Sequence, residues 1–395
     1  MNLRHLFLTC QAQTSPAPFG IEIDRAEGVY MYGPDGKRYI DLVAGVSVSN
    51  VGHCHPDVVE AVNEQVSRYM HLMVYGEFIQ SPQVLYAAKL VALLPENLSN
   101  VYFVNSGSEA NEGALKLAKR FTGRQEIIGF RNAYHGGTHG VLSLTSDECF
   151  RHAFRPLLPD VRLLDFNNFD HLSQISERTA CVIAEPMQGE AGAIVPETGF
   201  LQSLRQRCSQ TGTLLVFDEV QTGFGRLGRL FAFEKYGVVP DILTVAKSMG
   251  GGMPLGAFIS SKTIMDSLQT NPALGHITTF GGHPVSCAAG LAALDVILSE
   301  NLISSVESKA GLFRKLLKDS DIEDIRGEGL LMAVELGKAE RLSKFIRLAY
   351  ENGIATDWFL FNNSSFRIAP PLIINDSQIE EACEILKTVL KTLGR

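Results

Sequence analysis

The sequence lacks the features that mark nucleic-acid-binding and membrane proteins. Its 395 residues include 35 lysines and arginines against 43 aspartates and glutamates, a formal charge of −8. Without a basic excess to neutralise phosphates, no nucleic-acid partner is expected. No stretch approaches the roughly 20 apolar residues of a transmembrane helix, so no membrane partner is expected either.

Cysteine is also scarce and shows no pairing pattern. The seven cysteines are scattered, odd in number and form no C-x-x-C motif. This distribution is typical of free thiols in a reducing compartment. The N-terminal apolar run Leu6–Leu8 is shorter than the roughly 7–15 apolar residues of a secretory signal. We therefore expect a cytoplasmic protein.

Three common catalytic signatures are absent or incomplete. No G-x-S-x-G motif is present, which excludes a serine hydrolase of that type. GHCHP (52–56) has no second ligand pair at zinc-site spacing, so we expect no metal site but a turn before a helix that starts at Pro56. GFGRLG (223–228) matches a dinucleotide-binding motif, yet the segment after it is too short for the crossover helix. An NAD-dependent dehydrogenase is therefore a disfavoured alternative, and a turn or close-approach loop is expected.

The middle of the chain alternates between strand-like and helix-like segments. The helical patterns include residues 108–121 and 200–212, the second ending in a glycine stop signal. Continuous Val/Ile/Leu runs are typical of strands that are buried on both faces. The sequence thus predicts an α/β fold, with a mostly parallel seven-stranded sheet flanked by helices. The predicted strands are residues 101–107, 126–134, 161–166, 179–187, 214–220, 242–248 and 255–261.

The two ends of the chain have a different pattern. Residues 20–45 indicate short strands and turns, with a GPDG turn at 33–36. From about residue 298 the order is helix, strands and a terminal amphipathic helix from Asp376, which predicts a small α+β domain. We predict an N-terminal segment (1–50) that packs with the small domain, a large domain (51–297) and the small C-terminal domain (298–395).

Polar residues follow successive predicted strands where each strand ends. In a parallel sheet these carboxyl ends line the ligand crevice, so the side chains are expected to converge. Ser106 or Ser108 would cap the next helix, whose free N–H groups favour a phosphate. The acidic pair Asp218 and Glu219 would supply either a helix cap or a partner for a buried cation. The converging set is Ser106, Tyr134, Glu185, Asp218 and Lys247.

Lys247 stands between an apolar strand and the glycine-rich segment MGGGMPLG. A partly desolvated lysine near other charges has a depressed pKa and can form a Schiff base. A phosphate site, a carboxylate and such a lysine are the three groups that pyridoxal 5′-phosphate needs. In that interpretation the carboxylate pairs with the pyridine nitrogen.

With these residues in place, the sequence resembles the class III aminotransferases of the fold type I pyridoxal-phosphate superfamily. It is nearest to the acetylornithine/ornithine aminotransferase group. The resemblance implies a homodimer with active sites at the subunit interface. It also implies ping-pong transfer of an amino group from an ω-amino compound, such as acetylornithine, another ω-amino acid or a diamine, to a 2-oxo acid. A mutase or racemase of the same fold is the alternative. The matching segments are VYFVNSGSEANEGALKLAK, AYHGGT, AEPMQGEAGAIVP, the run from LLVFDEVQTGFGR to AKSMGGGMPLGA, TTFGGHPVSCAAG and FRIAPPLII.

The resemblance also implies a role for individual residues. Lys247 and Asp218 are the catalytic pair. Thr279 would reach the phosphate held by the neighbouring subunit, and Arg367 would grip a substrate carboxylate while Glu190 gates it. Val46 and Tyr75 would complete the substrate pocket. The implied cofactor-binding set is Ser106, Gly107, Ser108, Tyr134, His135, Glu185, Asp218, Val220, Gln221, Lys247 and Thr279.

Two departures from the group bear on the substrates. Gly137 stands where these aminotransferases usually carry an arginine, which puts 2-oxoglutarate in doubt as acceptor unless another arginine, such as Arg131, replaces it. Val46 stands where ornithine aminotransferases carry a tyrosine, which disfavours free ornithine as donor.

Overall fold

A computed structural model describes residues 2–318 and 321–393. Residue 1 and residues 394–395, which the predicted end segments include, lie outside this part. Five short 3-10 turns, one of them Lys247–Gly250, supplement the described α-helices. These helices are α1 Leu3–Cys10, α2 Ala44–Ser47, α3 Pro56–Arg68, α4 Ser81–Ala92, α5 Gly107–Thr122, α6 His139–Leu142, α7 Glu148–Arg151, α8 Phe200–Thr211, α9 Ala232–Tyr236, α10 Lys262–Met265, α11 Pro284–Ser299, α12 Val306–Leu317, α13 Ala339–Glu351 and α14 Asp376–Leu393.

The strands form three separate sheets. They are β1 Arg25–Glu27, β2 Tyr30–Tyr32, β3 Arg38–Asp41, β4 Asn100–Val104, β5 Glu126–Phe130, β6 Val161–Leu164, β7 Thr179–Ala184, β8 Leu214–Asp218, β9 Ile242–Ala246, β10 Gly256–Ser260, β11 Asp324–Glu328, β12 Leu331–Glu335, β13 Ile354–Ala355, β14 Trp358–Phe359 and β15 Asn362–Ile368.

The central sheet has seven strands in the order β4-β10-β9-β8-β7-β5-β6. Neighbours from β9 to β6 are parallel, whereas β10 is antiparallel to both β4 and β9. The predicted mostly parallel α/β sheet is therefore confirmed, with one antiparallel strand that the sequence did not indicate. Because β5, β7, β8 and β9 run in one direction, their carboxyl ends meet at one edge.

Both faces of this sheet are buried. In β8, Leu215 and Phe217 join the cluster that contains Phe200 of α8, whereas Leu214 and Val216 join the cluster that contains several α5 residues. Alternate residues therefore point to opposite layers, which explains why these strands show as continuous apolar runs rather than alternating patterns.

The two ends of the chain combine in the outer sheets. The N-terminal sheet has the order β1-β2-β3-β13, so β13 from the C-terminal part pairs with β3, with Ile354 opposite Ile40. The third sheet has the order β11-β12-β15-β14 and places Arg367 opposite Ala333. This pairing agrees with an N-terminal segment that packs on the C-terminal part. The domain limits at residues 50 and 297 stay predictions, and α11 continues to Ser299.

The short α2 is left-handed. All four of its residues have positive φ: 51° at Ala44, 61° at Gly45, 62° at Val46 and 64° at Ser47. Such a turn costs roughly 1–2 kcal/mol per non-glycine residue, most of all at a β-branched residue such as Val46. The surrounding structure must therefore hold it in place.

A buried arginine joins three parts of the chain. Arg226 is fully buried and donates to the carbonyl oxygens of Leu330 at 2.9 Å and Pro370 at 2.5 Å, and to the side chain of Asn50. Burial lowers its pKa to about 9. The GFGRLG loop (223–228), the N-terminal segment and the C-terminal part are therefore linked at one guanidinium.

Within the described part of the chain, no single helix has the length and apolar composition of a membrane span. One bent pair, Pro284–Ser299 with Leu302–Leu317, meets those criteria of length and composition.

Candidate active site

A cavity of about 420 Å³ opens at the carboxyl edge of the central sheet. Its volume lies within the usual range of small-molecule sites. The five polar residues predicted to converge there all line it, as do five others from the implied cofactor set. The shared lining residues are Ser106, Gly107, Ser108, Tyr134, His135, Glu185, Asp218, Val220, Gln221 and Lys247.

One wall of the cavity is the N-terminus of α5. Ser106 is its N-cap, and the Ser106 hydroxyl accepts from the Glu109 N–H at 3.1 Å. Within the described residues, the N–H groups of Gly107 and Ser108 have no hydrogen-bond acceptor. A Cβ at position 107 would lie 2.7 Å from Val220, so glycine is required for this close approach. Free N–H groups at a helix N-terminus favour an anion.

The second wall holds a buried carboxylate with a nearly complete hydrogen-bond shell. Asp218 Oδ2 is 2.7 Å from both Asn111 Nδ2 and His135 Nδ1, and Oδ1 accepts from the Val220 N–H at 3.0 Å. A carboxylate has about four acceptor positions, so one on Oδ1 stays free. The Asn111 amide is fixed in turn by Thr244, whose hydroxyl donates to Asn111 Oδ1 at 2.7 Å.

Sequence reasoning missed Asn111 and Thr244. Asn111 follows Ala110 on the face of α5 that packs into the core, and it is 1% exposed. A buried amide requires hydrogen-bond partners, so a polar residue on an otherwise apolar helical face was the available signal. Thr244 sits in the middle of an apolar strand, where threonine is common and gives no signal.

Two buried nitrogen atoms at the cavity lack partners. They are Nε2 of His135 and Nε2 of Gln221, and no hydrogen-bond partner lies near either of them among the described residues. Buried polar atoms of this kind carry a desolvation cost unless a ligand or water satisfies them.

Glu185 is buried beside Asp218. Its carboxylate accepts from the Tyr134 N–H at 2.9 Å and the Gly189 N–H at 2.8 Å. Burial raises the pKa of Glu185 to about 7; Asp218 adds to this rise, whereas His135 opposes it. Glu185 can therefore gain or lose a proton near neutral pH.

Lys247 projects into the same cavity from a strained backbone. Its φ is +53°, in the left-handed region that non-glycine residues rarely adopt, and it begins the 3-10 turn Lys247–Gly250. Gly251 follows at φ +60°, where a Cβ would lie 2.6 Å from the Ala289 carbonyl oxygen. The glycines thus allow the chain to turn tightly against α11. Burial lowers the pKa of Lys247, although Glu190 and Asp218 oppose this shift.

Near Lys247 lies a buried ion pair. Arg367 Nη1 and Nη2 donate to the two carboxylate oxygens of Glu190 at 2.9 and 3.1 Å. Burial alone would raise the pKa of Glu190, but the guanidinium outweighs burial and the net shift is downward. A third group, Asp357, which the sequence did not single out, accepts from Arg367 Nε at 2.8 Å.

Five of the implied residues do not line the cavity, and two of them, Glu190 and Arg367, form the ion pair described above. The other three lie elsewhere. Tyr75 lines a separate groove of about 280 Å³ beside Phe78 and Phe103. Val46 lies in the left-handed turn α2, and its neighbour Val48 reaches the cavity instead. Thr279 is exposed in the loop between α10 and α11. Their implied roles stay predictions.

The structure also shows the surroundings of Gly137, which stands where related aminotransferases usually carry an arginine. Gly137 lines the cavity, and a Cβ built on it meets no atom within 4 Å, so a larger residue would have room there. Arg131 does not replace it, because its side chain is 56% exposed and pairs with Asp165 at 3.1 Å outside the cavity.

The remaining motifs have structural explanations. Both possibilities for the acidic pair occur: Asp218 faces the cavity, while Glu219 accepts from the N–H groups of Ala232 and Phe233 and so caps α9. The GFGRLG segment is a loop and opens no long helix. In GHCHP, His53 lies 2.8 Å from Asp41 and the helix begins at Pro56 as predicted. The described residues contain no cluster of three or more histidine, cysteine or acidic side chains that could hold a metal ion.

Comparison with known proteins agrees with this arrangement. The acetylornithine aminotransferase of Methanopyrus kandleri is 40% identical over 381 residues, covering 95% of this chain and 96% of that protein. The structure of acetylornithine aminotransferase from Elizabethkingia anophelis has a TM-score of 0.86 at 32% identity and covers 99% and 98% of the two chains. Ornithine aminotransferase from Toxoplasma gondii, whose active site holds pyridoxal phosphate at partial occupancy, has a TM-score of 0.92 at 29% identity and covers 99% and 94%.

The profile of the family described as "Aminotransferase class-III" matches residues 10–390, almost the whole chain. This match agrees with the lysine, the carboxylate and the helix N-terminus that meet at one sheet edge. The resemblance inferred from the motifs is therefore confirmed, and the chain belongs to the class III aminotransferases.

Proposed function

We propose that this chain uses pyridoxal 5′-phosphate to transfer an amino group from an ω-amino compound to a 2-oxo acid by a ping-pong mechanism. The observation that carries the proposal is the meeting of three groups in one cavity: the Lys247 amine, the Asp218 carboxylate and the free N-terminus of α5. The name of the Methanopyrus relative supports a donor of the acetylornithine type.

The residues of the cavity fit this cofactor. The free acceptor position on Asp218 suits a protonated ring nitrogen, and the N–H groups of Gly107 and Ser108 suit a phosphate. The unpartnered Nε2 atoms of His135 and Gln221 are buried at the cavity and would gain partners from a polar ligand. When bound, the cofactor supplies an aldehyde and an electron-withdrawing ring.

Lys247 would act as the base and acid of the reaction. Its amine would take a proton from the donor carbon that bears the amino group and later return a proton to the acceptor. The lowered pKa of Lys247 suits this role, because a general base works best when its pKa lies near the working pH. Asp218, held by Asn111 and His135, would keep the ring nitrogen protonated.

Arg367 would bind the substrate carboxylate. A guanidinium can hold a carboxylate by two parallel hydrogen bonds, and Glu190 now occupies that position. Substrates without a carboxylate at this site would leave the Glu190–Arg367 pair closed. Because Gly137 stands where a second arginine could bind the other carboxylate, we infer that 2-oxoglutarate is not strongly preferred over pyruvate.

The active unit would be a homodimer. Exposed apolar side chains concentrate in residues 70–85 and 274–280, and Ile79 is 97% exposed. Exposed apolar side chains that cluster in this way are typical of a protein–protein interface. Thr279 lies in the second of these segments, from which it would reach the partner's cavity.

The protein would be cytoplasmic, since its free thiols are typical of a reducing compartment.

The test is a panel of amino donors, including N-acetylornithine, ornithine and diamines, against pyruvate and 2-oxoglutarate. We expect release of a 2-oxo or aldehyde product from an ω-amino donor, and no transfer by the Lys247→Ala variant. Transfer that survives in that variant would contradict the proposal. A strong preference for 2-oxoglutarate would contradict the inference drawn from Gly137.

The same assay separates the alternatives. An aminomutase or racemase would convert the donor without consuming a 2-oxo acid. A dehydrogenase would require NAD, and the purified protein would lack the absorption band near roughly 400–430 nm expected of this cofactor on a lysine.

A further inference from the structure

The guanidinium of Arg367 is held on more sides than its pairing with Glu190 requires. Its outer edge, formed by Nη1 and Nη2, faces Glu190. Its side edge, formed by Nε and Nη2, donates to Asp357 Oδ1 at 2.8 Å and to the Trp358 carbonyl oxygen at 3.1 Å. The ring of Phe359 lies below it, 4.5 Å from the guanidinium carbon.

The contacts at the side edge and at the face of the guanidinium all come from one short segment, residues 357–359. The segment pairs with β15, and the Arg367 N–H donates to the Asp357 carbonyl oxygen at 3.0 Å. The backbone that carries Arg367 and the side chain that holds its Nε are therefore parts of one hairpin. The turn of this hairpin also holds Glu190, because the Leu360 N–H donates to Glu190 Oε2 at 3.1 Å. The bond from Arg367 Nε to Asp357 involves no atom of Glu190, so it can stay in place when the Glu190 carboxylate leaves.

We propose that Asp357 is a positioning residue for the substrate carboxylate. It fixes the side edge of Arg367, so that only the outer edge, which now binds Glu190, is left for a substrate carboxylate. A substrate carboxylate must then replace Glu190 at the same two nitrogen atoms, and both cannot bind together. This inference rests on the proposed function, because it takes Arg367 as the carboxylate-binding group.

A positioning role and a purely electrostatic role for Asp357 predict opposite changes in the binding of a substrate carboxylate. A second carboxylate beside Arg367 weakens the attraction for a substrate anion, so removing its charge would tighten binding. If Asp357 acts by position, removing its hydrogen bond would loosen binding. Asp357→Asn removes the charge but keeps an oxygen that can accept from Nε, whereas Asp357→Ala removes both.

The experiment compares these two variants with the parent enzyme in separate half reactions. We expect Asp357→Ala to raise KM for pyruvate about tenfold, the worth of a charge-assisted hydrogen bond, with kcat little changed. Asp357→Asn should stay within about twofold of the parent, because the Nε hydrogen bond survives. A primary amine donor that lacks a carboxylate should react equally with all three proteins.

A binding measurement without turnover accompanies the kinetics. Trp358 is the single tryptophan of the sequence, and its backbone carbonyl accepts from Arg367 Nη2, so its indole lies on the segment that holds Arg367 and serves as the fluorescent probe. Titration with propionate should show weaker binding to Asp357→Ala than to Asp357→Asn. Equal behaviour of the two variants, tighter binding in either, or an equal loss with the carboxylate-free amine would overturn the proposal. If the parent transfers no amino group at all, the proposed function fails instead, and the propionate titration still tests Asp357.

Discussion

At the scale of single residues, burial moves the pKa values of two groups in the site, Lys247 and Glu185, towards neutrality. Burial lowers the pKa of Lys247 and raises that of Glu185 to about 7. The Asp218 carboxylate accepts hydrogen bonds from three neighbouring groups. Such perturbed groups are typical of functional sites. Glu185 and Asn111, the amide that donates to Asp218, each give a prediction that does not depend on knowing the substrate.

Glu185 should make the stability of the cofactor-free protein depend on pH. Its folded-state pKa of about 7 lies above that of an unfolded glutamate, so its favourable contribution is full at low pH and is lost as the pH rises to about 7. Relative to the parent, Glu185→Gln should gain up to about 3 kcal/mol of unfolding free energy between pH 5 and pH 8. Thermal unfolding of both proteins across this range measures it, and a constant difference would refute the raised pKa.

Asn111 should strengthen cofactor binding through Asp218. Asn111→Leu removes a hydrogen bond to a buried carboxylate, so we expect the affinity of the cofactor-free protein for pyridoxal phosphate to fall about tenfold or more. An analogue with carbon in place of the ring nitrogen should bind both proteins equally, because it makes no contact that Asp218 could strengthen. Equal losses with both ligands would show that Asn111 is only a packing residue. Thr244→Ser, which keeps the hydroxyl, is the matched control.

At the scale of helices and strands, the sequence predicted the long apolar strands of the central sheet but not the shortest strands of the outer sheets. The seven central strands follow from Val/Ile/Leu runs, because burial on both faces makes each residue apolar. The two-residue strands β13 and β14 have no periodicity to detect, and the amphipathic α13 between β12 and β13 was overlooked. Five of the ten cavity residues were predicted from polar residues at the ends of successive strands, and the resemblance to the family supplied the other five. Asn111 and Asp357 were missed because their partners lie about 107 and 10 residues away and only the fold brings them together.

Arg226 gives a prediction at this scale, because it joins the GFGRLG loop to the N-terminal segment and to the C-terminal part of the chain. Arg226→Met would leave the Leu330 and Pro370 carbonyl oxygens and the Asn50 side chain buried without their donor. We expect a loss of about 3 kcal/mol in unfolding free energy and a melting temperature lower by several degrees. Arg229→Met, three residues away at an exposed position, is the control and should leave stability unchanged. An equal effect of the two changes would argue against Arg226 as the link.

At the scale of the whole molecule, the exposed apolar segments and the position of Thr279 are consistent with the proposed homodimer, in which two chains would share each site. Neither Thr279 nor Tyr75 lines the cavity of its own chain, although Tyr75 lies in the exposed segment 70–85 and Thr279 in the segment 274–280. In a two-fold dimer the same surface meets itself, so each chain can complete the other's cavity.

Mixing two inactive variants tests this arrangement. Lys247→Ala lacks the amine, and Thr279→Asp places a carboxylate where a phosphate is expected, so each pure homodimer should have almost no activity. After the two are unfolded and refolded together, a mixed dimer has one cavity with both defects and one with neither. Random pairing then restores about one quarter of the parent activity, because half of the dimers are mixed and half of their cavities are intact. If Thr279 served its own chain's cavity, every cavity of the mixture would carry a defect and no activity would return.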